Sequence, residues 1–359
     1  MRPGPIVAPS ARPSGTLRRW STRHRRTGAP DLPASGQISC TRRGGAISNE
    51  GFGRFAPSPT GDLHLGNLRT AVVAWLLARR HGLGWLVRME DLDPVTSSAA
   101  SATAQLDDLH RLGLRSAAPI VHQSQRFELY EAAIDRLAGQ GLVYECFCTR
   151  REIREAAQAP NAAELPDGAY PGTCRTLSDA DRRRFEREGR RPALRLRTGG
   201  ERLGFDDLIL GRVEGAVDDV VLRRNDGVPA YNLAVVVDDA AQGVVQVVRG
   251  DDLASSTPRQ LHLQRLLGLP QPQYAHVPLA LGSDGTRLAK RHGAVSLTDL
   301  AALGIDADAV VALIGASLGA CAVGDHVTVD DLLATFEVAA MPRTPWQVDP
   351  AGLSASIGP

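Results

Sequence analysis

The chain has 359 residues, 43% of them hydrophobic, enough to bury a sizeable core as one α/β domain with smaller appendages. No apolar run approaches the length needed to span a bilayer as a helix, so a cytoplasmic enzyme without a membrane partner is expected. The formal charge of +1 hides an imbalance: residues 1–50 hold nine arginines against Asp31 and Glu50, leaving 32 basic and 38 acidic residues in the remainder. Any nucleic acid must therefore meet a local basic patch, and its binding should weaken with salt.

Residues 1–50 are rich in Arg, Pro, Ser and Gly, lack apolar periodicity and are expected to be disordered. An organelle-targeting segment with Arg18, Arg19, Arg23, Arg25 and Arg26, a nucleic-acid-binding tail, and a start site set too far upstream all fit. The last is preferred, because the folded pattern begins cleanly near Gly51. There a short strand, Phe52 to Ala56, ends in Pro57-Ser58-Pro59, turns at Gly61 and enters a segment with Leu65, Leu68, Val72, Trp75 and Leu76 at helical spacing. A helix from about Leu65 to Gly82 follows. Its N-terminus collects free backbone N–H groups that can hold a phosphate, with His64 at the mouth, although Pro-Ser-Pro-Thr-Gly is also ordinary turn chemistry.

Trp85 to Met89 reads as a buried strand running into Glu90-Asp91-Leu92-Asp93, acids that either face a ligand beyond the strand end or cap the next helix. Helical spacing returns at Leu106, Leu109 and Leu112 and again at Phe127, Tyr130, Ile134 and Leu137, with the short strand Ile120 to Gln123 between. This alternation predicts a doubly wound parallel sheet. The strand Leu142 to Cys148 ends in Cys146-Phe147-Cys148, and Tyr170 and Cys174 follow. Two cysteines two apart on extended chain share a side, and a third thiolate with a phenolate can complete a tetrahedron around Zn²⁺; free reduced thiols are the alternative. Arg182-Arg183-Arg184, interleaved with acids, predicts a solvated helix.

Ala193 to Arg197 predicts a strand. Val220 to Arg224, the turn Asn225-Asp226-Gly227 and Pro229 to Val237 predict a hairpin, and Val244 to Val248 a strand ending at Arg249. Ser256-Thr257-Pro258 predicts a helix start with Thr257 as N-cap. After the strand Ala275 to Leu281 comes Arg287-Leu288-Ala289-Lys290-Arg291. Lys290 is the only lysine in the chain; a lone ammonium among arginines suggests a place where the wide guanidinium fork will not serve. Short helices are expected around Leu300, Val310 to Leu318 and Leu332.

The stretch Pro57-Ser58-Pro59-Thr60-Gly61-Asp62-Leu63-His64-Leu65-Gly66-Asn67 resembles the first signature of class I aminoacyl-tRNA synthetases as the glutamyl branch writes it, with Asn67 in place of a histidine. Arg287 to Arg291 resembles the second signature, with Arg287 and Ala289 replacing the usual Lys and Ser. The Cys-x-Cys, Tyr-x-x-x-Cys pattern is similar to the zinc module of the glutamyl-Q branch. The resemblance covers about residues 51–300. It implies a Rossmann-type catalytic domain in two halves, 51–145 and 193–295, split by a zinc-module insert at 146–192 and followed by a short helical region at 296–359. It implies His64 and Lys290 as catalytic groups, and ATP bound by these with Gly66 and Asn67. Glutamate would meet Arg54, Phe55, Ala56, Pro57, Ser58, Glu90, Tyr231 and Arg249. Structural Zn²⁺ would sit on Cys146, Cys148, Tyr170 and Cys174, with Mg²⁺ accompanying ATP. Only 68 residues follow Arg291, and no anticodon-binding region is expected among them, which with the cysteines favours the glutamyl-Q branch: a monomer that activates glutamate without tRNA and transfers it to the queuosine base of tRNA(Asp). An ordinary glutamyl-tRNA synthetase and a catalytically silent tRNA-binding paralogue are the alternatives.

Overall fold

The structure, a computed structural model, describes residues 51–157, 169–288 and 295–349. Residues 1–50, Lys290 and the segment holding Pro160, Pro166 and Gly168, on which several sequence expectations fall, lie outside the described residues.

Strand β1 (Phe52–Phe55) leads through the proline loop into helix α1 (Leu65–Arg80), then strand β2 (Gly84–Met89), helix α2 (Ala99–Arg111), strand β3 (Val121–His122) and helix α3 (Phe127–Gly139). β2 is buried along its whole length, as a near-continuous apolar run in a parallel sheet should be. α1 is buried on most of its circumference, because it packs on β1 and also carries the C-terminal helices on its outer side. A Cβ on Gly53 would come within 2.7 Å of Ala78 Cβ, so glycine permits the close approach of β1 to α1.

Next come β4 (Val143–Cys146), α4 (Arg150–Ala157), α5 (Asp179–Arg187), β5 (Ala193–Leu196), β6 (Arg202–Asp207), β7 (Gly211–Ala216) and β8 (Val221–Arg223). The chain then returns through α6 (Tyr231–Ala241), β9 (Val244–Gly250), α7 (Thr257–Leu267), β10 (Gln273–Val277) and β11 (Ala280–Leu281). Helices α8 (Leu297–Ala302), α9 (Ala307–Ser317) and α10 (Val329–Thr335) and strand β12 (Trp346–Gln347) complete it. No described helix is long and apolar enough to cross a membrane.

The main sheet has the order β3-β2-β1-β9-β10-β6-β7 and is parallel except for the β6–β7 hairpin at one edge. β4, β5 and β8 are not part of it. They form a separate antiparallel sheet beside the cysteines.

Three elements depart from the sequence expectation, one of them the stretch Ala275 to Leu281, expected as a single strand but divided between β10 of the main sheet and β11, which pairs with β12 in a separate sheet. Residues 231–237 were expected as the returning strand of a hairpin, but the pairing stops at a single bridge, Arg223 to Pro229, and α6 begins at Tyr231. Its Leu233 to Val237 are buried on every side between the sheet and α3 and α7, and a fully buried helix shows no amphipathic period to separate it from a buried strand. The N-cap of α7 is Ser256 and not Thr257, whose hydroxyl is turned inward.

Candidate active site

Going from β1, the strand order runs through β2 to β3 on one side and through β9 to β10 on the other, so the crevice beyond the carboxyl ends opens between β1 and β9. A cavity of about 710 Å³ lies there. Arg54 is in register with Val247 on β9, and Arg249 lies two residues further along that strand. Partners in a parallel ladder share a face and side chains alternate, so Arg54 and Arg249 project from the same face of the sheet. Both line the cavity, with Phe55, Ala56, Pro57, Ser58, Glu90 and Tyr231. Arg249 donates from Nη1 to Tyr231 Oη at 3.2 Å and from Nη2 to Thr257 Oγ1 at 2.8 Å.

The start of α1 lines the same cavity. His64 is its N-cap: Nδ1 accepts from the backbone N–H groups of Gly66 at 3.1 Å and Asn67 at 3.3 Å. The neutral ring must then carry its proton on Nε2, available to donate. Asn67 closes the box by accepting from His64 N–H through Oδ1 at 3.2 Å, which gives the residue standing where the signature has histidine a structural role. A Cβ on Gly66 would lie 3.0 Å from both Ala280 Cβ and His64 Cε1, so glycine preserves the ring's position. Burial, and after it the charge of Arg287, lower the His64 pKa and keep the ring neutral. Arg287 lines the same cavity and pairs with Asp252 at 2.9 Å.

Lys290 lies outside the described residues, whose nearest members on either side are Leu288 and Val295. Leu288 N–H donates to Ala280 O and lines the cavity, while Leu65 N–H donates to Val295 O beside His64.

Beneath the cavity is an ion network that the sequence reading missed. Arg88 is fully buried, donating to Asp239 Oδ1 at 2.8 Å, Gln242 Oε1 at 3.0 Å and Glu90 Oε1 at 3.2 Å. Asp239 also faces Arg54 Nε at 3.5 Å, and Asp238 accepts from Arg126, Gln123 and Tyr130. Against the burial penalty, Asp239, Glu90 and Asp238 raise the Arg88 pKa. Burial raises that of Glu90, while Arg88 and Arg54 oppose the rise. A cation in the middle of an otherwise apolar strand was the available signal, since an unpaired charge cannot stay there. Asp91 and Asp93 act structurally, Asp91 holding Ser124 and His122 and Asp93 accepting from Val95 N–H and Arg224.

The sulfurs of Cys146, Cys148 and Cys174 all lie within 4.8 Å of one another. Cys148 Sγ is 3.4 Å from Cys174 Sγ, and Tyr170 Oη is 3.3 Å from Cys146 Sγ and 3.6 Å from Cys148 Sγ. Donors bound tetrahedrally with metal–sulfur distances of about 2.3 Å stand about 3.8 Å apart, so the set can hold a metal ion. Hydrogen bonds from Cys148 and then Cys174 drive the Cys146 thiol pKa down. The Arg195 guanidinium lies 3.7 Å from the centroid of the Tyr170 ring. Asp218 accepts from Tyr170 N–H, and Asp219 accepts from Tyr144, Arg175 and Thr198, so paired acids just after β7 anchor the module. Among the arginines of α5, Arg182 and Arg184 pair within the helix with Asp179, Asp181 and Glu188, and no α5 residue is buried, a mixed-charge solvated face.

Comparison with known proteins agrees with this geometry. Residues 52–349 match the family described as tRNA synthetases class I (E and Q), catalytic domain. The chain is 58% identical over 305 residues to a glutamyl-Q tRNA(Asp) synthetase of Nocardia farcinica, covering 84% of this chain and 94% of that protein. It is 44% identical to the glutamyl-Q tRNA(Asp) synthetase of Symbiobacterium thermophilum, covering 85% and 98%. Among solved structures, a glutamate tRNA ligase from Elizabethkingia meningosepticum in complex with its amino acid shares the fold, with a TM-score of 0.70 at 24% identity over 85% of this chain and 68% of that one. A mainly parallel sheet whose switch point carries two guanidinium groups in one cavity with a histidine-capped helix, together with these relatives, places the chain in the class I tRNA synthetase family and, within it, among the glutamyl-Q tRNA(Asp) synthetases.

Proposed function

We infer that the chain activates glutamate with ATP to glutamyl-adenylate and transfers the glutamyl group to the queuosine base of tRNA(Asp). The observation that carries the reading is the convergence of Arg54, Arg249, Tyr231 and Glu90 on one cavity that the capped N-terminus of α1 also lines. A dicarboxylate amino acid has a side-chain carboxylate suited to a guanidinium and an ammonium suited to Glu90. Arg249, steadied by Tyr231 and Thr257, is the reading's contact for the side-chain carboxylate. Aspartate, one methylene shorter, should reach it poorly.

In the first step the glutamate α-carboxylate attacks the α-phosphorus of ATP and pyrophosphate leaves. The nucleophile is already ionised, so no general base is needed, and the protein's task is alignment and neutralisation of phosphate charge. His64 Nε2–H, the N–H groups of the α1 N-terminus with Gly66 and Asn67, and Lys290 would serve it. Mg²⁺ bound with the nucleotide would add further neutralisation. In the second step a nucleophile of the queuosine base attacks the activated carbonyl and AMP leaves.

The donor set Cys146, Cys148, Tyr170 and Cys174 fits Zn²⁺ in a closed, structural site. Three free thiols held this close suit a reducing cytoplasm.

ATP–pyrophosphate exchange dependent on glutamate and independent of tRNA, followed by labelled-glutamate transfer to tRNA(Asp) with and without queuosine, tests the reading. Exchange with transfer only to the queuosine-bearing tRNA is expected. Transfer to the 3′ end of tRNA would identify an ordinary glutamyl-tRNA synthetase, and absence of exchange a silent paralogue.

A further inference from the structure

Arg249 is not aimed by the cavity alone. Its Nε donates to His276 Nε2 at 3.1 Å, and Thr257 Oγ1 lies 3.4 Å from the same nitrogen. His276 is the register partner of Arg249 across the β9–β10 ladder, is fully buried, and packs against the rings of Phe205 and Tyr274, which also touch each other. On its other side, Nδ1 is 2.6 Å from Asp207 Oδ2. The second oxygen of Asp207 accepts from the backbone N–H groups of Ile209, Leu210 and His276. Neither Asp207 nor His276 lines the cavity.

The neighbours fix every proton in this chain. A guanidinium only donates, so His276 Nε2 must be bare. An ionised carboxylate only accepts, so Nδ1 must carry the hydrogen. Burial opposes ionisation of Asp207, but hydrogen bonds from His276 and from the N–H groups of Leu210, His276 and Ile209 lower its pKa overall. One neutral tautomer satisfies both ends, and burial, joined by the Arg249 charge, holds His276 neutral despite Asp207.

We propose that Asp207 and His276 are positioning residues for substrate recognition: Asp207 selects the His276 tautomer, and His276 aims the Arg249 guanidinium at the side-chain carboxylate of the amino acid. The proposal rests on the reading of Arg249 given above. Asp207→Asn separates this role from a merely structural one. The substitution is nearly isosteric, and the three N–H groups keep the asparagine carbonyl oxygen where Oδ1 was. Its amide nitrogen then faces Nδ1 and donates, the ring proton moves to Nε2, and Nε2–H opposes Arg249 Nε–H.

Nitrogen NMR of the histidine ring in the wild-type protein, with the His276 signals identified by their loss in His276→Gln, should show a protonated Nδ1 and a bare Nε2. The opposite tautomer overturns the proposal. In glutamate-dependent ATP–pyrophosphate exchange, Asp207→Asn should raise the KM for glutamate by about tenfold or more, with kcat and the KM for ATP within about threefold. His276→Gln, whose carbonyl can face Arg249 and whose amide nitrogen can face Asp207, should stay near wild type, whereas His276→Phe should match Asp207→Asn. An unchanged glutamate KM in folded Asp207→Asn, beside a raised one in Arg249→Ala, overturns the proposal alone. An unchanged KM in Arg249→Ala overturns the reading of Arg249, and the proposal with it. Should Asp207→Asn fail to fold, equal glutamate KM values for His276→Gln and His276→Phe overturn the proposal, and a split between them supports it.

Discussion

His64 has two ring nitrogens with different tasks: Nδ1 caps the start of α1, and in the function proposed above Nε2 serves the nucleotide. Substitution can separate them. Asparagine is a good N-cap but lacks the ring's reach, so His64→Asn should melt close to wild type and lose about two orders of magnitude in ATP–pyrophosphate exchange. His64→Ala should lose the same activity and, in addition, about 1 kcal/mol of stability. The pH dependence has a definite sign. The folded ring has a pKa below its ordinary 6.5, so the unfolded chain binds the proton more readily. The stability tied to this ring is complete above pH 6.5 and is lost as pH falls through the lower folded value, because protonation removes the Nδ1 acceptor. Thermal melts from pH 7.5 to 5 should show wild type losing ground to His64→Asn towards the acid end. Lys290→Arg should also lose about two orders of magnitude in exchange, since a planar fork does not replace a compact ammonium. Near-wild-type exchange in that variant would remove the significance given to the lone lysine.

At the scale of elements, what was legible in the sequence followed how local the signal was. Pro57 to Asn67 fixes a strand, a loop and a capped helix through adjacent residues, and the structure has all three. Cys146, Cys148, Tyr170 and Cys174 come together as their spacing suggested. α6 was misread because Val235, Val236 and Val237 favour strands, and burial on every side outweighs that propensity. The β6–β7 hairpin went unseen, its strands being partly exposed and weakly patterned. Asp207 and His276 were invisible for a different reason: they lie 69 residues apart, and only the pairing of β6 with β10 joins them. The cysteine module makes its own prediction. The purified protein should contain about one zinc per chain by elemental analysis, and Cys146→Ser or prolonged chelation should remove it and expose the neighbourhood of α4 and α5 to protease. A metal-free protein of unchanged protease resistance would show that packing of Phe147 on Phe185 and the Asp218 and Asp219 anchors suffice.

At the scale of the whole molecule, buried charge ties the main sheet to α6. Arg54, Arg88, Asp238, Asp239 and Glu90 form one buried network reaching from β1 and β2 to the end of α6, so Arg54 and Glu90, which line the cavity, are tied to each other through it and are not independent contacts. The face on the other side of the sheet is apolar and packs on α1, which carries α9 and α10 outside it. This layering leaves a task for β12. Trp346 and Gln347 pair with Ala280 and Leu281, Val348 N–H donates to Leu281 O, and the Arg69 guanidinium lies 5.7 Å from the centroid of the Trp346 ring. Those contacts fasten the root of the segment that continues to Leu288 and then Lys290. A chain ended at residue 343 should therefore keep its fold and its KM for glutamate while turnover in ATP–pyrophosphate exchange falls, although Trp346, Gln347 and Val348 line no part of the cavity.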